Sequence, residues 1–350
     1  MKRFMVAALA GAALVSLGAA HAAILVPVAE FPGSQPGSTT VFGVNDRKEV
    51  SGSYTDSGGI QHGFFGHPDG SNYASFDYTD NLVDGTVARG LDNAGFITGF
   101  APATNEGLLF GYEFLRKPNG TMITLGKGNA NNFAPFDGIA QGISTNARST
   151  GDYWDTVNFI RFGYTATRGK YKGDIVLPIS TNRVAGRGID KHGNTAGFFT
   201  AGGAIHGFFI IGGVFNQVDY PDASAIASYI EALNNQGMTA GQWDDGTGNL
   251  QSFLLDTNTS TFTPITVPGA TYVQVFGLSD KGLATVNSDV GAFIYCAFAD
   301  PTKCPGGGTD VGQIKSIHVD PSSFLRYSAP AKTAVTSIRV KLKNAHMTQP

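Results

Sequence analysis

The segment Gly188-Ile189-Asp190-Lys191 decides the fold, because its pattern recurs along the chain. The recurring word is a Gly (once an Ala), an aliphatic residue and two polar residues that favour turns. Self-similarity at a period of roughly 20–50 residues indicates a repeat architecture. Six copies, separated by 47, 52, 46, 44 and 45 residues, begin at Gly43, Gly90, Gly142, Gly188, Ala232 and Gly277.

Two further landmarks keep the register of the repeats. A His-Gly-Phe-like word follows each start by about 20 positions, most clearly at His62-Gly63-Phe64-Phe65 and His206-Gly207-Phe208-Phe209. A second Gly stands nine positions after the start in five repeats, and Val286 takes its place in the sixth. Those five are Gly52, Gly99, Gly151, Gly197 and Gly241.

Each repeat is interpreted as four short strands separated by turn residues, which is typical of all-β proteins. Four strands in about 45 residues is the dimension of one propeller blade. The sequence therefore predicts an all-β chain with a β-propeller of six four-stranded blades over residues 23–320. A β-solenoid is the alternative, although its repeats are usually shorter. The predicted fourth strands are 73–78, 122–125, 174–177, 215–220, 261–267 and 314–319.

The two ends of the chain compete for the last blade. Residues 24–32 resemble residues 263–268, so the sequence predicts an additional fourth strand near the N-terminus. Such a strand would complete the last blade and cover an exposed sheet edge. Residues 321–350 form a C-terminal extension, which is either a strand-bearing cap around 333–343 or a loose basic tail.

The first 22 residues have the layout of a secretory signal peptide. A basic start, Lys2-Arg3, precedes an apolar run from Phe4 to Ala19 and the small-x-small pattern Ala20-His21-Ala22. The run is shorter than the roughly 20 residues of a membrane span, so an uncleaved anchor is the weaker interpretation. We expect a secreted protein, extracellular or periplasmic, with no membrane span in the mature chain.

Composition narrows the class of partner. Only 15% of residues are charged while 11% are aromatic, which argues against a disordered chain. Loss of Lys2 and Arg3 changes the net charge from −3 to −5. No basic cluster is interleaved with aromatic residues, and this argues against a nucleic-acid partner.

Two cysteines, Cys296 and Cys304, lie eight positions apart. In an oxidising compartment this spacing favours one local disulfide. A metal site would need more ligands than two cysteines, and no His stands near them in the sequence.

The words Gly43-Val44-Asn45-Asp46 and His62-Gly63-Phe64-Phe65, together with residues 188–209, resemble those of the bacterial extracellular repeat family named HAF. The resemblance covers most of residues 43–320 and is clearest in the first and fourth repeats. It implies export and a repeated β-sheet fold, and it implies no known reaction. His is replaced in the other four repeats, by Tyr112, Phe162, Gln251 and Gly291.

Candidate catalytic residues are few, since the sequence lacks nucleophile-elbow, zinc-protease and phosphate-loop motifs. His62 and His206 fall in repeats that would face each other across a six-blade ring, where a pair could form a metal or acid–base site. The alternative is that each His bonds nearby backbone. Asp155 and Asp245 occupy equivalent loops, where paired carboxylates would act as a glycosidase or bind Ca²⁺; ordinary turn aspartates are the alternative. Apart from Ca²⁺ the sequence predicts no cofactor.

Two functions remain open. One is a non-catalytic propeller that binds a glycan, a cell-surface component or a protein, with an exposed aromatic patch on one face. The other is a carbohydrate-active hydrolase or lyase that uses the loop carboxylates near the axis. Sugar stacking would fall to the aromatic residues beside those loops, which are Tyr54, Tyr153, Trp154 and Trp243.

Overall fold

The computed structural model of the chain describes residues 16–79, 84–105, 108–125, 138–155, 160–296, 304–306, 308–324 and 326–328. Its regular structure is β throughout, apart from 3-10 turns at Thr145–Ala147 and Pro321–Ser323. In this described part, no helix is long and apolar enough to cross a membrane. The prediction of an all-β chain is confirmed.

The strands form three separate four-stranded antiparallel sheets, here numbered I to III, and one fourteen-stranded sheet. For description, the larger sheet is divided into parts IV to VI, which correspond to the fourth to sixth repeats and are called sheets below. Strand β1 covers Ser16–Pro27. Sheet I contains β2 (Thr40–Val44), β3 (Val50–Thr55), β4 (Gln61–Gly66) and β5 (Ala74–Phe76). Sheet II contains β6 (Val87–Leu91), β7 (Ile97–Asn105), β8 (Leu108–Arg116) and β9 (Met122–Thr124). Sheet III contains β10 (Gly138–Ser144), β11 (Arg148–Asp155), β12 (Ile160–Thr167) and β13 (Lys170–Asp174).

The second half of the chain continues the series. Sheet IV contains β14 (Val184–Ile189), β15 (Thr195–Ala201), β16 (Ala204–Ile211) and β17 (Val214–Val218). Sheet V contains β18 (Ala227–Leu233), β19 (Met238–Asp244), β20 (Gln251–Asp256) and β21 (Thr261–Ile265). Sheet VI contains β22 (Val273–Leu278), β23 (Leu283–Ser288) and β24 (Gly291–Cys296), followed by β25 (Thr309–His318) and β26 (Arg326–Ser328).

The first strands of the six sheets pack side by side. Strand β2 contacts β6, β6 contacts β10, β10 contacts β14, β14 contacts β18, β18 contacts β22, and β22 contacts β2 again. These are packing contacts between separate ladders, since sheets I, II and III share no ladder hydrogen bonds with their neighbours. The succession therefore returns to its starting strand around one axis.

The Gly that starts each repeat is required by this close packing. A Cβ on Gly43 would lie 2.4 Å from the carbonyl oxygen of Arg89 in the next first strand. A Cβ on Gly142 would lie 2.2 Å from the carbonyl oxygen of Arg187. Only glycine permits such a backbone approach without displacement.

The second Gly has a different neighbour, the first strand of its own sheet. A Cβ on Gly52 would lie 1.9 Å from the carbonyl oxygen of Thr40 and 2.8 Å from the ring of Phe64. Phe64 belongs to the His-Gly-Phe word and is fully buried. The word thus supplies a core aromatic residue that packs over the glycine.

The two polar residues of each repeated four-residue motif form hydrogen bonds from one sheet to another. The backbone N–H of Asp46 donates to Oδ1 of Asn93 over 2.8 Å, and Nδ2 of Asn93 donates to Oδ2 of Asp46 over 2.7 Å. Between sheets V and VI, Asn235 donates both bonds, from its backbone N–H to Oδ1 of Asp280 and from its Nδ2 to Oδ2 of Asp280. The N–H of Lys281 in sheet VI donates to Oδ1 of Asp46 in sheet I. These bonds join the last repeat to the first.

The N-terminal strand, and not residues 314–319, provides the fourth strand of sheet VI. Residues Ile24 to Pro27 of β1 pair with β24, from Cys296 to Phe293. The residues of β1 that pair with β24 lie after the predicted cleavage site. The residues of β1 before that site pair with β25. The predicted fourth strand at 314–319 is therefore wrong, because β25 lies outside β1 and also pairs with β21 of sheet V.

The C-terminal extension reaches a neighbouring sheet. Strand β26 pairs with β17 at the outer edge of sheet IV. The predicted cap around 333–343 lies outside the described residues. Cys296 and Cys304 are buried as thiols with their sulfur atoms 2.6 Å apart, and the disulfide between them stays a prediction.

Candidate functional site

An irregularity in every first strand shapes the centre of the molecule. The register shifts between Val41 and Gly43 in β2, and equivalent shifts occur in β6, β10, β14, β18 and β22. A β-bulge of this kind leaves one residue unpaired and turns its side chain. The residues just before the repeat starts lie at these bulges, and we call them the axial residues: Phe42, Arg89, Gln141, Arg187, Glu231 and Phe276.

The axial residues surround a small cavity, here the axial cavity. Its wall consists of three consecutive residues from each first strand: the axial residue, the starting Gly or Ala, and the aliphatic residue. The cavity volume is about 50 Å³. Since a cavity needs about 10–15 Å³ to hold one water molecule, this cavity has room for a few groups of that size.

The charges in this cavity are unequal. Two guanidinium groups, of Arg89 and Arg187, face one carboxylate, of Glu231, which gives a formal charge of +1. Nε of Arg187 lies 3.7 Å from Oε2 of Glu231. The guanidinium carbon of Arg89 instead lies 4.1 Å from the ring centroid of Phe42 and 5.2 Å from that of Phe276. Such cation–π contacts hold a cation without satisfying its N–H groups.

Several buried donors of the axial residues have no hydrogen-bond partner among the described residues. They are Nε of Arg89, Nε of Arg187 and Nε2 of Gln141. Buried polar groups are nearly always hydrogen-bonded, so three unmet donors around one cavity point to something that accepts from them.

Burial also changes the acid–base balance at the axis. Burial, assisted by the charge of Arg187, lowers the pKa of Arg89 to about 10, so this guanidinium stays charged at neutral pH. Burial raises the pKa of Glu231 above its usual value, against the opposing effect of Arg187 and Arg89. The excess of positive charge is therefore at least one at neutral pH.

A second layer of charge adjoins the axis. Asp152 is fully buried, and its Oδ2 lies 2.7 Å from Nη1 of Arg161. The guanidinium groups of Arg183 and Arg187 each lie 4.9 Å from the ring centroid of Phe198. Asp152 and Phe198 hold the same position in their repeats, directly after the second Gly.

The two predicted histidines bond carboxylates within their own sheets and not backbone groups. Nδ1 of His62 lies 2.8 Å from Oδ1 of Asp77, and its Nε2 lies 3.4 Å from Oδ2 of Asp56. Nδ1 of His206 lies 2.8 Å from Oδ1 of Asp219. The fourth strand's end supplies the Asp in both repeats, so the arrangement is a repeated structural unit. Burial lowers the pKa of His62, but the bonds to Asp77 and Asp56 outweigh it, and the net pKa is raised.

The predicted carboxylates differ in how far the structure describes them. Asp245 is partly exposed in its loop, and hydrogen bonds from the side chain and the backbone N–H of Thr247 lower the pKa of this carboxyl. Asp155 ends β11, and its side chain lies outside the described residues. The described side chains contain no group of three or more His, Cys, Asp or Glu residues that could hold a metal ion.

The predicted binding aromatics pack against other side chains. Tyr54 stacks on Phe31 with ring centroids 3.9 Å apart, and Trp243 stacks on Tyr220 at 4.8 Å. The hydroxyl of Tyr153 donates to Oδ1 of Asp174, and Trp154 lies 6.0 Å from the guanidinium carbon of Arg161. The expected exposed aromatic patch is not found in the described part. Its exposed large hydrophobic residues are all aliphatic: Ile60, Val214, Ile226 and Val290.

The two faces of the molecule differ in charge. The turns between the second and third strands of each sheet, together with the connections between sheets, form one face, which we call the 2–3 face. The turns between first and second strands and between third and fourth strands form the opposite face, which we call the 1–2 face. The described turns of the 1–2 face carry Lys48, Lys117, Lys170, Lys191 and Lys281. The described part of the 2–3 face has no lysine; its aspartates are Asp56, Asp77, Asp84, Asp174, Asp219, Asp222, Asp244, Asp245 and Asp289.

Sequence reasoning missed the axial residues. The position two residues before each starting Gly or Ala is never charged and gives no indication of a site. The informative position is one residue later, where Arg89, Arg187 and Glu231 are charged between an apolar residue and a Gly or Ala. That placement of charge inside a first strand is the signal that could have indicated the site.

No family model matches the sequence, and no curated protein matches it. Among solved structures, a mutant Aleuria aurantia lectin in complex with α-methyl-L-fucoside is 12% identical with a TM-score of 0.43; the match covers 86% of this chain and 99% of the lectin. YCF48 bound to D1 peptide is 10% identical with a TM-score of 0.33, covering 88% of this chain and 99% of the other. At these scores the likeness adds nothing to the fold described above.

Proposed function

We propose that the chain is a secreted, non-catalytic β-propeller of six blades, of the HAF repeat type, that binds a polysaccharide or a cell-surface protein on its 2–3 face. The observation that carries this proposal is the difference between the two faces. The described part of the 2–3 face has nine aspartates and no lysine, whereas the described turns of the 1–2 face combine five lysines with Asp46, Asp69, Asp92, Asp190 and Asp280. Ile60, Ile226 and Val290, exposed by 53%, 60% and 49%, also lie on this face. These side chains offer apolar surface that a partner could remove from water.

The blade count is supported by the wall of the axial cavity. Each of the six sheets contributes the same three positions to that wall. Bonds from Lys281 to Asp46 support a ring in which sheet VI adjoins sheet I.

Binding without catalysis is supported by the positions of the candidate acid–base residues. His62 and His206 bond aspartates of their own sheets. Asp245 is engaged with the backbone of its own turn. General acid–base chemistry needs groups that can reach a common substrate, and these described groups are held in separate sheets.

The test uses purified residues 23–350 and a panel of soluble and insoluble polysaccharides. Depletion from solution measures retention, and mass spectrometry of the supernatant detects released oligosaccharides. Retention without products is the expected result, and Ile60→Lys should weaken it. Val214→Lys, exposed by 41% on the 1–2 face, is the matched control and should not. Released products would contradict the non-catalytic function, and a complete lack of retention would redirect the search to protein partners.

A further inference from the structure

We propose that the axial cavity binds a small monovalent anion, either a free halide or a single carboxylate group. This inference does not depend on the proposed binding face, because the cavity has its own charge and its own unmet donors. Its first support is the ring of axial residues, in which two guanidinium groups face one carboxylate. An isolated charge taken out of water is costly unless it is paired.

One guanidinium group among the axial residues has no carboxylate to pair with. Glu231 lies beside Arg187, at 3.7 Å from its Nε. The guanidinium group of Arg89 has no ion pair and no side-chain hydrogen bond within the described residues, and it lies over the rings of Phe42, Phe276 and Phe100. A single negative charge in the cavity would neutralise this excess.

The donors decide what kind of anion fits. Nε of Arg89, Nε of Arg187 and Nε2 of Gln141 are buried and lack hydrogen-bond partners in the described part, although Nε of Arg187 lies within ion-pair distance of Glu231. A halide accepts from several directions at once, and a carboxylate offers about four lone pairs to N–H donors. Charge-assisted hydrogen bonds of this type are about twice as strong as neutral ones.

The volume of the axial cavity limits the size of the group that can bind in it. A volume of about 50 Å³ is enough for a few water-sized groups and therefore matches a halide or one carboxylate. A carboxylate that belongs to a larger ligand would therefore enter tip first, while the rest of the ligand stayed outside the axis.

The test is thermal unfolding of residues 23–350 in sodium chloride, bromide, formate and galacturonate at constant ionic strength. Each salt is compared between wild type and Arg89→Met, since non-specific salt effects act on both proteins. A ligand of the folded state raises the Tm in a saturable way. We expect that rise in wild type and its loss in Arg89→Met.

Arg116→Met is the matched control. The guanidinium carbon of Arg116 lies 4.8 Å from the ring centroids of Phe65 and Phe76, so this arginine makes the same kind of stack away from the axis. The variant should retain the saturable rise of wild type. If Arg89→Met does not fold, bromide-soaked crystals of wild type give an independent answer through an anomalous peak in the axial cavity.

Each outcome decides the proposal. A saturable rise with halide and formate supports a free anion, and a rise with galacturonate alone supports a carboxylate carried by a larger ligand. Equal shifts in wild type and Arg89→Met, together with no anomalous peak, would overturn the proposal. The polysaccharide assay is separate, so retention of glycans without anion binding, or the reverse, identifies which proposal has failed.

Discussion

A glycine-to-alanine substitution at a repeat start should lower the free energy of unfolding more than the same substitution in a loop. In Gly142→Ala the new Cβ would lie 2.2 Å from the carbonyl oxygen of Arg187, and all its near contacts are backbone atoms that cannot rotate away. Overpacking of this kind costs about 1–3 kcal/mol. The urea midpoint of Gly142→Ala should fall accordingly. Gly306→Ala meets no atom within 4 Å and should leave the midpoint unchanged; equal effects of both changes would contradict the packing argument.

His62 should make stability depend on pH. Burial lowers the pKa of His62, but the bonds to Asp77 and Asp56 raise it by more, so the pKa in the folded protein lies above the usual histidine value of about 6.5. A group whose pKa is higher in the folded than in the unfolded protein adds its full contribution to folding stability at pH values below the unfolded pKa. This contribution disappears as the pH rises through the folded pKa. Unfolding in urea should therefore require less denaturant at pH 8.5 than at pH 6.

The comparison of variants isolates that contribution. A partly screened pair of this type contributes on the order of 0.5 kcal/mol. His62→Gln should lose that part of the pH dependence. His67→Gln, on the 1–2 face, should keep the wild-type profile. A His62→Gln profile parallel to that of wild type would show that the carboxylate bonds do not matter.

The repeats could be predicted from the sequence at the residue scale because close packing selects the same residue at five of the six repeat starts, Ala232 being the exception. Only glycine fits against the neighbouring backbone at Gly43 and at Gly142, so the spacing of these glycines can be read from the sequence. The axial residues could not be found in this way. Phe, Arg, Gln and Glu share that position, and what they have in common is a backbone bulge, which leaves no repeated side chain to recognise.

At the scale of elements, strand propensity did not settle the order of strands in sheet VI. Residues 24–27 and 314–318 both have the composition of a strand, and both form one. The choice of the partner for β24 depends on which segment buries its side chains in the core. Leu25 and Val26 are nearly fully buried there, while β25 lies one strand farther out.

Strand β1 should therefore contribute as much stability as an interior strand. Leu25 packs in a core cluster with Val275 and Tyr295. Leu25→Ala removes buried methyl groups and should cost about 2–5 kcal/mol in the free energy of unfolding. Val290→Ala, at a position exposed by 49%, should change the free energy by less than about 0.5 kcal/mol. Urea unfolding of both variants is the measurement, and similar small losses would mean that β1 is not an integral strand.

At the scale of the whole molecule, a closed ring and an open solenoid respond differently to the loss of one repeat. Deleting residues 90–141 removes one repeat and brings Gly142 into the place of Gly90. A solenoid tolerates this change, since its stability is approximately a sum over repeats and their nearest-neighbour interfaces. A ring does not, because the bonds between Lys281 and Asp46 require the sixth repeat to meet the first. We expect the deletion to lose its near-UV circular dichroism and to elute as aggregates. A permutant that keeps all six repeats, opened between Ile179 and Ser180 with the ends joined by a flexible linker, should remain folded. A folded, monomeric five-repeat chain would favour the solenoid instead.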